Sequence, residues 1–153
     1  MGSEMCIRDS TLGIMTNLGA AHQEGFASEK HKLNEKLQLF DEVETLIYCI
    51  DHQAIHHAVK KTNSVKWTAN AHPEADIRFS LLTQAQNKST ITVHHQQTSF
   101  EFNIPFTDAN ALENAMHCCA TLLVIGWNST NIIAGMADPV SYTHLTLPTI
   151  YSV

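Results

Sequence analysis

Thr11 to Phe40 reads TLGIMTNLGAAHQEGFASEKHKLNEKLQLF, and this stretch decides the fold. Its apolar opening closes in small residues, Thr16-Asn17-Leu18-Gly19-Ala20. That is the pattern of a buried strand delivering its carboxyl end into a loop. The loop carries His22, Glu24 and the flexible Gly25. Ser28 suits the N-cap of the amphipathic segment that follows, with Glu29 in its first turn. On a helix, Leu33, Leu37, Leu39 and Phe40 make one apolar arc, and Lys36 falls inside it. Strand, loop and helix in this order predict an α/β chain, and open α/β sheets bind ligands at their strand ends. A lysine on an apolar arc either snorkels its ammonium to water or serves a site.

The stretch Asn17-Leu18-Gly19-Ala20-Ala21-His22-Gln23-Glu24-Gly25-Phe26-Ala27-Ser28 resembles the N-[IL]-G-x-A-H-x-E-G-F-x-S signature of the Mur ligase family. Within that family it is most similar to the MurF type, which adds D-alanyl-D-alanine to a UDP-N-acetylmuramoyl-tripeptide. There the signature leads into a helix ending A-K-x-E-[IL]-F. Counted without gaps, Lys36 falls on its lysine and Phe40 on its phenylalanine. The resemblance implies that His22 is a magnesium ligand and that Lys36 is carbamylated, which favours the functional reading of Lys36.

The chemistry has a physical reason. An ammonium group repels Mg²⁺, whereas burial favours the free amine, which can add carbon dioxide. The carbamate so formed is an anionic oxygen ligand of the kind magnesium prefers. With His22 as nitrogen ligand, the metal would offset charge between ATP phosphates and a substrate carboxylate.

The two ends read differently. Met1 to Ser10, MGSEMCIRDS, resembles a translated transposase-type sequencing adapter: ATG TGT ATA AGA GAC AG encodes Met5 to Asp9 and begins Ser10. The opposite strand of the same DNA encodes Val140-Ser141-Tyr142-Thr143-His144 and runs on in frame through Thr149. Residues 1–10 and 139–153 are therefore expected to be adapter-derived, leaving 11–138 as a partial Mur-type central domain.

Composition bounds the rest. Nine Lys and Arg against fifteen Asp and Glu give a formal charge of −6, which argues against nucleic acid as partner. No apolar run reaches the length of a membrane span, and no secretory signal is visible. Cys49, Cys118 and Cys119 match neither a zinc knuckle nor a disulfide framework, so reduced thiols and a cytoplasmic location are expected.

After Phe40, Glu42–Asp51 reads as a β-prone strand around Leu46-Ile47-Tyr48-Cys49-Ile50. The family commonly ends this strand N-x-D; here Cys49 stands for the asparagine and Asp51 is retained. A helix is expected over His52–Lys61, with His52 and His56 on a solvated face rather than on a metal. Trp67-Thr68 and Ala75-Asp76-Ile77 are similar to weakly recurring family positions. RFSLLTQAQ, STITVHH and SFEFNIPF are strand-like runs separated by Asn87-Lys88 and Gln96-Gln97-Thr98, predicting an antiparallel meander or hairpins. His94 and His95, adjacent in one strand, should face opposite ways. The next helix has Thr107 or Asp108 as cap, an apolar face of Ala111, Leu112, Ala115, Cys119, Leu122 and Leu123, and Gly126 as stop. Asn114-Ala115 is similar to the end of the family's H-N-x-x-N-A motif, whose second asparagine contacts the nucleotide; Asn110-Ala111 stand where His-Asn is usual. The stretch Pro105 to Cys118 looks more like the subgroup fused to an alanine racemase. Ser129 is expected to cap a last short helix.

The reading is thus the second half of a P-loop-type ATPase domain: α/β, mainly parallel, with an antiparallel region. The resemblance implies ATP and Mg²⁺ as cofactors, and pyridoxal phosphate only if a racemase domain follows. UDP-N-acetylmuramoyl-tripeptide and D-alanyl-D-alanine would be the parent's substrates. His22 and Lys36 would hold the metal and act in catalysis, Asn114 and Asn17 would serve the nucleotide, and Glu24 would shape the loop. No G-x-x-x-x-G-K-[ST] phosphate loop is present, and it is expected upstream. Two alternatives stay open: another Mur-type ligase such as a folylpolyglutamate synthase, against which the G-F-x-S continuation speaks, and a non-catalytic α/β binding module.

Overall fold

A computed structural model describes residues 11–18, 26–60 and 62–137. It divides into two units between Ile77 and Arg78.

In the first unit, β1 (Leu12–Met15), α1 (Phe26–Gln38), β2 (Thr45–Cys49), α2 (Gln53–Ala58) and β3 (Ser64–Thr68) alternate along the chain. β1 pairs with β2 and β2 with β3, both in parallel. Ile14 sits opposite Ile47, and Ile47 opposite Val65. Parallel neighbours need crossover connections, which α1 and α2 supply. β2 lies between two partners and is covered on both faces, so Leu46, Ile47, Tyr48 and Cys49 are all buried. That accounts for its unbroken apolar run, where a half-exposed strand would alternate. Met15, Leu33, Val43, Leu46, Tyr48 and Ile55 form the core, with Leu37 and Phe40 packed against it.

Several expectations need correction. α1 begins at Phe26, so Ser28 lies inside its first turn and is not its N-cap. α2 is one and a half turns over Gln53–Ala58, shorter than His52–Lys61. β2 is confined to Thr45–Cys49, within the broader span read from sequence. β3, SVKWT, was not predicted as a strand at all: five residues containing a lysine carry little periodicity.

β4 (Ile77–Ala85) starts on the last residue of the first unit, and the second unit is built from the rest of it with β5 (Lys88–His95), β6 (Thr98–Ile104), α3 (Ala109–Val124) and α4 (Ser129–Ala137). The three strands follow the runs read from sequence. β5 and β6 pair antiparallel, with Ile91 opposite Phe102 and Val93 opposite Phe100. Ser89, Ile91 and Val93 are buried on alternate positions of β5, as are Phe100, Phe102 and Ile104 on β6. Gln86 and Asn87 both take positive φ (52° and 62°), and Gln96 does so at the next turn (55°). Two-residue hairpin connections favour this conformation because its twist matches that of the strands.

Asp108 caps α3, its carboxylate accepting from the Ala111 N–H at 2.9 Å. At the other end Trp127 N–H reaches the Leu122 carbonyl at 3.0 Å, and Gly126 N–H reaches that of Leu123 at 3.1 Å. This is the Schellman arrangement, and Gly126 supplies the left-handed residue it needs (φ 94°). Asn128, rather than Ser129, caps α4: its Oδ1 accepts from the Asn131 N–H at 2.8 Å. α4 lies against β6 and buries Ile132 and Met136. The class is α/β, parallel in the first unit and with antiparallel pairing in the second, as the sequence predicts.

Candidate functional site at the carboxyl edge of the parallel strands

Because β1, β2 and β3 run in parallel and in register, their carboxyl ends lie along one edge of the first unit. Asn17 follows β1 there, Asp51 follows β2, and residues 69–72 follow β3. An edge of this kind is where α/β sheets receive ligands, since each strand hands its next residues to a loop on the same side.

The sequence-predicted residues fare unequally. Asn17 is half-buried just beyond β1. His22 and Glu24 lie outside the described residues. Lys36 is in the last turn of α1 and is exposed. This corrects its placement on the inward arc. α1 turns Leu33, Leu37 and Phe40 toward the core, while Leu39 is past the helix end and 67% exposed. Lys36, three residues after Leu33, is displaced by about 60° from it around the helix and falls at the margin of that face. The burial invoked for its amine is thus absent among the described residues. Asn114 belongs to the second unit, where it is exposed on α3 while Ala115 and Met116 beside it are buried. Among the described residues no group of three or more His, Cys, Asp or Glu could hold a metal ion.

The residues that sequence reading undervalued are at the ends of β2 and β3. Asp51 Oδ1 accepts from the Thr68 hydroxyl at 2.5 Å, and Oδ2 accepts from the Ala69 N–H at 2.7 Å. The Cys49 thiol also points to Oδ2, at 3.6 Å. The completely buried Thr68 oxygen in turn accepts from the N–H groups of Asn70 (3.0 Å) and His72 (3.2 Å). The retained aspartate of N-x-D and the weakly recurring Thr68 were the available signals, and only their spatial pairing gives them meaning.

Beside this edge the Tyr48 hydroxyl meets His56 Nδ1 at 2.9 Å, and His56 Nε2 stands 3.6 Å from Glu74. Burial, reinforced by the Asp76 and Glu74 carboxylates, pushes the Tyr48 hydroxyl above its ordinary value. His56 is therefore not on a solvated helix face, as read from its spacing with His52. It ties α2 to β2 and to the segment after β3. A groove of about 530 Å³ bordered by Leu37, Phe40, Leu46, Ala58 and Val59 lies toward the amino end of β2 instead. Its polar rim (Asn34, Gln38, Asp41, Lys60) is exposed, so it offers no buried chemical group.

Comparison with known proteins bears on the fold. The family model described as Mur ligase middle domain matches residues 5–122. A structure of MurF from Acinetobacter baumannii superimposes with a TM-score of 0.68 at 17% identity, covering 84% of this chain and 28% of that one. MurF ligase from Thermotoga maritima in complex with ADP gives 0.67 at 12% identity, covering 89% and 33%. The UDP-N-acetylmuramate-alanine ligase MurC from Thermotoga maritima gives 0.60 at 9%, covering 82% and 28%. The chain thus spans about a third or less of the structures it resembles. No curated protein matches it.

Proposed function

Since this chain belongs to the Mur ligase middle-domain family, we propose that it is a piece of a MurF-type, ATP-dependent amide ligase acting in the cytoplasm. One observation carries the choice of type: the signature Asn17 to Ser28 runs without a gap to Lys36 and Phe40. The similar fold of a MurF bound to ADP supports the nucleotide. The fold does not discriminate among acceptors, because MurC resembles the chain too.

In this reading a carboxylate oxygen of UDP-N-acetylmuramoyl-tripeptide attacks the γ-phosphorus of ATP and ADP leaves. The amine of D-alanyl-D-alanine then attacks the acyl carbon, and phosphate departs as the amide forms. Mg²⁺, when bound, would neutralise charge that builds between phosphate and carboxylate. His22 and carbamylated Lys36 would hold it. An imidazole nitrogen and an anionic carbamate oxygen suit that ion as part of a set completed by phosphate and water. Asn17, at the end of β1, and Asn114, on α3, would contact the nucleotide, and Glu24 would shape the loop. Residues 11–138 are proposed as native and 1–10 and 139–153 as adapter-encoded. The family match begins at residue 5 and so takes in six residues, 5–10, of the stretch proposed as adapter-encoded; resequencing the gene with adapters trimmed decides the boundary.

In the full-length parent, Lys36→Ala should lower ligation on the order of 10²-fold or more, with partial recovery in formate or acetate. Lys36→Arg should not recover, since its guanidinium fills the space and stays cationic. With carbon-13 bicarbonate the present chain should show a carbamate carbon signal that Lys36→Arg removes. Near-normal ligation by Lys36→Ala would sink the assignment. The chain alone, without a phosphate loop, is expected not to bind ATP at micromolar concentrations, and calorimetry checks this.

A further inference from the structure

The turn after β3 is held more tightly than its exposure suggests. Ala69, Asn70 and Ala71 are exposed, yet the backbone N–H groups of Ala69, Asn70 and His72 all point inward to Asp51 or Thr68. The hydrogen-bonding capacity of Thr68 is saturated. Its one O–H goes to Asp51, and its two acceptor sites take the N–H groups of Asn70 and His72. Ala71, within this turn, takes a left-handed φ of 60°. The hydrogen bonds on either side of Ala71 hold it in that region.

We propose that Asp51 and Thr68 are positioning residues, a two-residue bracket that fixes the 69–72 turn in advance as part of the ligand-receiving edge. Their reach extends through the turn. The Glu74 N–H donates to His72 Nδ1 at 3.3 Å, the His72 ring lies 5.9 Å from that of His56, and Glu74 faces His56 Nε2. One buried hydroxyl therefore sets the backbone whose side chains close over α2. The turn spends the amides of residues 69, 70 and 72 inward, so these three N–H groups do not face whatever occupies the edge. The bracket goes beyond the ligase reading, because it rests on hydrogen bonds within the first unit.

Hydrogen–deuterium exchange on the purified chain, resolved for residues 66–73, tests this. Thr68→Val keeps the side-chain volume and removes the hydroxyl. The amides of residues 69, 70 and 72 should then exchange about tenfold faster, while β1 and β2 change by less than about twofold. Thr68→Ser, which restores the hydroxyl, should restore slow exchange. Adding Asp51→Asn to Thr68→Val should add little, because both act on one bracket. The proposal is overturned if these amides exchange freely in the parent chain, or if Thr68→Val leaves them slow. It also fails if all three strands accelerate alike, if serine fails to rescue, or if the two substitutions multiply.

Discussion

The molecule ends its strands in two ways. In the first unit, β2 and β3 stop at one edge and the chain leaves through residues whose polar groups converge on Asp51 and Thr68. In the second, β5 turns straight into β6, and Gln96 supplies the positive φ for a two-residue reversal. The hairpin solution is local and needs no polar convergence: facing pairs such as Ile91 and Phe102 are joined by a few residues. The parallel solution puts a helix between successive strands, so the residues after β1, β2 and β3 come from distant parts of the sequence and gather on one side. Chemistry collects where the topology is non-local.

The largest expected effects come from emptying each core. Trp67 and Phe102 are both fully buried, one on β3 and one on β6. Replacing either by alanine should cost about 3–5 kcal/mol in urea unfolding followed by circular dichroism. The comparison is sharpened by a second readout. Trp67→Ala should also speed exchange in the 69–72 turn, because it loosens the strand that delivers Thr68, whereas Phe102→Ala should leave that turn slow. Equal acceleration by both would break the contrast.

A smaller effect is expected at Gly13 on β1. A Cβ built there would stand 2.5 Å from the Phe40 ring and 3.2 Å from Val43. Gly13→Ala must push the aromatic ring out of its seat against the core, at about 1–3 kcal/mol. Phe40→Leu, which opens the space, should recover part of that loss in the double variant. Purely additive losses would mean that the ring is not the obstacle.

The smallest concerns the second unit at alkaline pH. Burial, with Cys118 adding, pushes the Cys119 thiol from its ordinary 9.0 up to about 12. The folded chain keeps this proton where the unfolded chain has lost it. Stability from this thiol is full below pH 9 and declines from there toward pH 12, by at most about 1.4 kcal/mol per pH unit. Cys119→Ala should flatten that decline in urea titrations between these limits. A residual slope should remain, because Tyr48 in the first unit is raised in the same sense. An unchanged slope in the alanine variant would count against the buried-thiol account.

Legibility followed the same division. The antiparallel strands were readable almost to the residue, because one-sided burial writes itself as alternation: Ile91 and Val93, Phe100 and Phe102. The α3 cap and the Gly126 stop were readable for a similar reason, each being a local hydrogen-bonding device. β3 was not, because its five residues owe their strand to pairing with β2. The start of α1 was missed because Phe26 carries no capping chemistry, while Ser28 does. Lys36 was misplaced by treating Leu39 as part of the arc, when the helix had already ended at Gln38. At the site, motif spacing pointed to the loop after β1, but the Asp51–Thr68 pair joins residues seventeen apart and no periodicity foretells it.

Ala71 has a consequence for the chemical lifetime of the chain. Glycine would hold its backbone conformation without strain. Yet Asn70 precedes it, and an Asn-Gly pair in an exposed turn is the sequence most prone to close into a succinimide and deamidate, because nothing shields the following nitrogen from the asparagine side chain. A methyl group at position 71 hinders that ring closure. The left-handed alanine thus accepts a little conformational strain and slows that ring closure.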